Sequence, residues 1–264
     1  MAYGVALLNT ILGTVYTCYG LITIVDMKRG WKTHGFSHFG AAWLAMAFTC
    51  GPHHLDHGLH GFLSGRAGGW LDLFTIAVGF PAGVLWFLLR VEAMFGGRGD
   101  RHINGTPVWL EVLPPVFAAY SAGVAAAAIH LSSTTDVFTP RIIPNICLVV
   151  LYSAVAVVLL RNQMRNHRVT GGWSASGLSL SMVMYTCAVM HAVFAVYANS
   201  GVYDLDWHGY VIDILAVPAA CYFLWMTVSL TQGWMHDWND APDVARHESN
   251  EDGDGGVDRD LALV

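Results

Sequence analysis

Long apolar stretches recur along this chain, each bounded by a short polar or glycine-rich joint. A helix of about 20 apolar residues crosses a hydrocarbon core. The pattern predicts seven such helices, over 4–26, 36–60, 70–94, 108–131, 140–161, 173–199 and 207–231. The alternating pattern of an outer-membrane barrel strand is missing. The expected fold class is therefore all-α, a polytopic membrane protein whose seven-transmembrane-helix bundle occupies residues 1–235. The second stretch is the weakest, cleanly apolar only from Phe36 to Gly51. It spans a membrane only if part of the histidine run that follows lies within the bilayer. Otherwise a shorter helix ends at Gly51-Pro52, with the histidines on a re-entrant or interfacial segment.

Lysine and arginine orient such a bundle, because cytoplasmic loops carry them in excess. The joint after the first span holds Lys28, Arg29 and Lys32, that after the third Arg98 and Arg101, and that after the fifth Arg161, Arg165 and Arg168. The intervening joints hold Arg66, Arg141 and no basic residue. The bias places the N-terminus outside and the C-terminus in the cytoplasm. The setting expected is a plasma membrane, of the bacterial inner-membrane kind, with membrane lipid as partner.

Composition agrees with this reading. Hydrophobic residues make up 55% of the chain and charged residues 12%, against roughly 25% charged in a soluble domain. The formal charge of −6 arises largely in residues 236–264, an acidic stretch rich in Gly and Asp. That stretch is expected to be a disordered cytoplasmic tail, available to a cytoplasmic partner. No basic patch or nucleic-acid motif occurs, so a nucleic-acid partner is not expected. The five cysteines lie in apolar segments without a Cys-x-x-Cys pair, which argues against a disulfide framework and covalent c-type haem. The only lysines are Lys28 and Lys32, so the seventh span has none to form a retinal Schiff base.

The candidate chemistry lies between Cys50 and Gly61, which read Cys-Gly-Pro-His-His-Leu-Asp-His-Gly-Leu-His-Gly. On a helix, His53, His57 and His60 share one face, with His54 and Asp56 beside them. Ionisable groups inside a membrane are costly and mark functional sites by default. The same leaflet receives His130 at the end of the fourth span, His191 in the sixth, and His208 and Asp213 in the seventh. Asp213 lies between Ile212 and Ile214 and should face the bundle interior. Imidazoles with one or two carboxylates suit a transition-metal ion: zinc, iron or copper. In this reading His53, His54, His57, His60, His130, His191 and His208 are candidate ligands, and Asp213 and Asp56 candidate catalytic bases.

The remaining histidines are expected to need no explanation beyond solvation. Two softer stripes, Met46-Cys50-His53-His57 and Met184-Cys187-His191, offer sulfur ligands of the kind Cu(I) selects. They read equally as ordinary helix packing. Gly79 and Gly83 on the third span, and the Ala/Gly/Ser run 118–128 on the fourth, are expected to allow close helix packing.

The function expected is a membrane-embedded metal-dependent enzyme, a hydrolase or a di-iron-type oxidase. The alternatives are a protein for copper or zinc transport, sensing or handling, a b-type haem protein using His57 with His130 or His191, and a metal-free scaffold.

Overall fold

The computed structural model describes residues 1–65, 69–134, 142–200 and 207–239. Seven long helices carry the fold: α1 (Ala2–His34), α2 (His38–Ser64), α3 (Trp70–Met94), α4 (Val108–Thr134), α5 (Ile142–Thr170), α6 (Ala175–Ser200) and α7 (Trp207–Gln232). Six of them are long and apolar enough to cross a membrane. The exception is α2, whose second half carries four histidines and Asp56 and so lacks a sufficiently apolar window. Helix α2 nonetheless runs unbroken through Pro52, so the shorter version ending at Gly51-Pro52 does not hold. Proline removes one backbone donor and frees the carbonyl four residues earlier, at Phe48, a local loss that neighbouring helices allow a membrane helix to tolerate.

The packing order closes a ring. Helix α1 lies between α2 and α3, α7 between α2 and α5, and α6 between α5 and α3, with α4 against the outer side of α6. Helix α6 is the most enclosed, with 94% of its apolar window buried. It can therefore carry Ser179, Ser181, Thr186 and His191 without exposing them to lipid.

Glycines set the closest seam, between α1 and α2. A Cβ on Gly13 would lie 2.7 Å from Leu55, one on Gly51 would strike Thr17, and one on Gly58 would strike Thr10. The backbone of α2 is thereby pressed against α1 on both sides of its histidine turn. On α3, Gly79 meets Thr186 of α6 and Gly83 meets Leu12 and Tyr16 of α1, as the spacing of the two glycines led us to expect. The small-residue run on α4 behaves differently. Gly123 has open space around it, and Ala118, Ala119 and Ala122 are exposed, because α4 touches the bundle with its other face.

Two short antiparallel clasps knit the end that carries the basic joints. Strand β1 (Phe36–Ser37) pairs with β4 (Trp238–Asn239), and β2 (His102–Asn104) with β3 (Gly172–Ser174). The Asp237 carboxylate accepts from Ser37 Oγ at 3.0 Å and from Phe39 N at 2.7 Å. Asp100 likewise accepts from Ser174 Oγ at 2.6 Å and Ser176 N at 2.8 Å. Residues 236–239 therefore do not belong to a tail, as they anchor the start of α2; residues 240–264 lie outside the described residues. Two histidines assigned to solvation also have structural contacts. His167 stacks on Trp173 with ring centroids 4.4 Å apart, and His38 Nδ1 lies 3.3 Å from the Tyr222 hydroxyl.

Candidate metal centre

The opposite end of the bundle gathers polar side chains from α2, α5, α6 and α7. Asp213 of α7 is 1% exposed, and its Oδ1 lies 3.1 Å from His53 Nδ1 of α2. That separation is an ion-pair distance without hydrogen-bond alignment, since Oδ1 makes no hydrogen bond among the described residues. The His53 and His191 rings sit with centroids 5.1 Å apart. One ligand atom each from His53, His191 and Asp213 falls within 4.8 Å of the others, and all three residues are buried.

Asn145 of α5, fully buried, organises this group. Its Nδ2 donates to Asp213 Oδ2 at 2.8 Å, and its Oδ1 lies 2.7 Å from His191 Nδ1. A carboxylate only accepts, so the amide must turn its NH2 toward Asp213 and its oxygen toward His191. His191 Nδ1 therefore carries the proton, which leaves the lone pair on Nε2. One asparagine thus occupies one oxygen of Asp213 and one nitrogen of His191, and leaves the other atom of each available. His53 Nε2 is buried without a hydrogen-bond partner among the described residues. Orphaned buried polar atoms are uncommon and point to an unseen water or ion.

The same logic recurs at His54, which turns toward α1. Asn9 donates through Nδ2 to the Val5 carbonyl at 3.0 Å, so its Oδ1, 2.8 Å from His54 Nδ1, accepts from the ring. His54 also packs edge-on to Tyr16. Cys50, His53, His54, Cys187, Met190, His191 and Phe194 line a cavity of about 10 Å³, enough for about one water or one ion.

The other sequence candidates fall outside the triad. His57 stacks on Phe194, with centroids 4.0 Å apart and planes at 18°, and stands 4.8 Å from the His53 ring. Its ring is engaged in packing at the edge of the group. His60 and Asp56 are half-buried on α2. His130 is exposed on α4, because the rotation of that helix turns it from the interior. His208 is the second residue of α7, but its side chain lies outside the described residues, as do Asp206 and Arg141.

Sequence reasoning missed Asn145 and Asn9. The available signal was a lone amide inside an otherwise apolar helix, where a polar side chain must find a partner.

A buried His53/His191/Asp213 group could hold a metal ion. The donor set of two imidazoles and a carboxylate matches zinc, iron or copper(II). Tetrahedral bonds of about 2.0–2.2 Å place ligand atoms roughly 3.4 Å apart, a spacing within reach of this group, whose ligand atoms all lie within 4.8 Å of one another. No known protein family, curated protein or solved structure matches this chain.

Proposed function

We propose that this protein crosses the plasma membrane seven times, with its N-terminus outside, and handles a transition-metal ion held near the outer face by His53, His191 and Asp213. The observation that carries the reading is the Asn145 bridge, which orients an imidazole and a carboxylate together in a buried space. Metal-binding histidines characteristically have their second nitrogen fixed in this way by a neighbouring oxygen. Two further features favour ion handling over the other readings. The small cavity beside the triad is lined by His53, His54 and His191 together with Cys50, Cys187 and Met190, side chains that can all bind an ion. The triad also supplies a single carboxylate, fewer than the several glutamates of helical-bundle di-iron sites.

The orientation rests on the clustering of Lys28, Arg29, Lys32, Arg98, Arg101, Arg161, Arg165 and Arg168 at the clasped end. The seventh crossing is α2, whose polar half is shielded by α1 and α7. One observation favours a hydrolytic enzyme as second reading. Three protein ligands leave a fourth position open, the arrangement of catalytic rather than structural zinc.

The test is metal content and an optical spectrum of the detergent-purified protein, followed by Co(II) titration. The expected result is one Co(II) per chain with a tetrahedral visible band, lost in His53→Ala, His191→Ala and Asp213→Asn. A haem Soret band, or binding that survives all three substitutions, would refute the assignment. Reporter fusions at residues 66–68 and 97–99 should report opposite sides of the membrane.

A further inference from the structure

One turn below the His/Asp centre, the interior holds a pair of thiols that this centre does not use. Cys50 of α2 and Cys187 of α6 are 8% and 5% exposed, both are free, and both line the same small cavity. The two helices stand across the ring from one another, so lining one cavity requires both side chains to point inward.

The register is what makes the pair informative. Cys50 lies three residues before His53, and Cys187 four residues before His191, so each thiol sits under a triad histidine on the same helix face. One further turn down come Met46 and Met184, 0% and 1% exposed. Two helix faces thus present imidazole, thiol and thioether in matching order. Thiolate and thioether donors select Cu(I), whereas imidazole and carboxylate suit the divalent ions.

We propose that Cys50 and Cys187 form a separate Cu(I) site, with Met46 and Met184 as its thioether neighbours. Binding releases two thiol protons to the medium and takes up one Cu(I), which leaves a bis-thiolate site with one net negative charge and changes no oxidation state. The hydroxyl of Tyr152, 3.4 Å from Cys50 Sγ and fully buried, then donates to the thiolate and stabilises its charge where water is excluded. The site uses side chains different from those of the divalent centre but shares a cavity with His53 and His191, so the two are told apart by which substitutions remove each ion.

The test is anaerobic titration of the full-length detergent-purified protein with Cu(I), against a chromophoric Cu(I) chelator. Wild type should take up one Cu(I) with sulfur as its nearest scatterer in X-ray absorption. Cys50→Ser and Cys187→Ser should each weaken binding by more than about 100-fold, beyond the effect of losing a mere supporting contact. Both variants should keep the Co(II) band of the His/Asp centre, which also reports that they are folded. Conversely, Asp213→Asn should keep Cu(I) while losing Co(II).

Unchanged Cu(I) affinity in the double variant, or a shell of nitrogen and oxygen alone in wild type, overturns the proposal. If the serine variants fail to fold, the wild-type absorption spectrum decides. Loading with Cu(I) should also protect both cysteines from a membrane-permeant maleimide in wild type, and equal labelling with and without the ion counts against the site.

Discussion

Replacing Asn145 with leucine keeps a side chain of similar size but removes both hydrogen bonds that join Asp213 to His191. A hydrogen bond to a charged group contributes about 1.5–3 kcal/mol and a neutral one about 1 kcal/mol. Depriving two buried partners in this way should therefore lower stability by roughly 2–4 kcal/mol. The effect on ion binding is separable. Loss of an outer partner of a metal ligand costs about 10–100-fold in affinity, equivalent to roughly 1.4–2.8 kcal/mol. His191 would be free to place its proton on Nε2, and Asp213 could rotate out of register. The assay is Co(II) titration in detergent with competition by a chelator, read from the visible band. Circular dichroism and size-exclusion profiles establish that the variant is folded. An affinity within about twofold of wild type in a folded Asn145→Leu protein would refute the argument that Asn145 orients the ligands; Asn145→Ser serves if the leucine variant does not fold.

Further outcomes follow from the same geometry. His57→Ala should leave Co(II) affinity within about tenfold of wild type, because its ring stacks on Phe194 outside the triad; titration beside His53→Ala checks the contrast. Gly58→Val should destabilise the protein by about 1–3 kcal/mol through overpacking against Thr10, and it should weaken Co(II) binding by moving the α2 backbone; thermal unfolding and the same titration measure both. Asp237→Ala removes the acceptor for Ser37 Oγ and Phe39 N and should cost about 1–3 kcal/mol, seen as a lowered melting temperature with Co(II) affinity unchanged.

The helices were legible because an apolar run long enough for a bilayer has few other uses; five of them keep close to the predicted limits, whereas α1 and α5 run on through their basic ends to His34 and Thr170. The start of α2 and the clasp with residues 236–239 were not, since they depend on Asp237 meeting Ser37 from 200 positions away. At the site, His53, His191 and Asp213 were identifiable from their chemistry and their common end of the bundle. Which histidines would be excluded was hidden in helix rotation, which apolar sequence encodes weakly when both faces are greasy. His130 turns outward on α4 for that reason, and His57 finds an aromatic partner instead of a shared ligand position. Asn145 was hard to weigh because a single amide signals burial without naming its partners. The two cysteine stripes were visible, but only the fold shows that they face each other.

The ring of helices also imposes an order of manufacture. A ribosome delivers α2, α5 and α6 to the membrane before α7, so the nascent bundle can bring His53, His191 and Asn145 close while the wedge between α2 and α5 is still open. The one carboxylate of the group arrives on that final wedge. On the proposed reading, the donor set therefore stays incomplete until the seventh helix docks, and the charge that balances a bound cation is the last part to arrive.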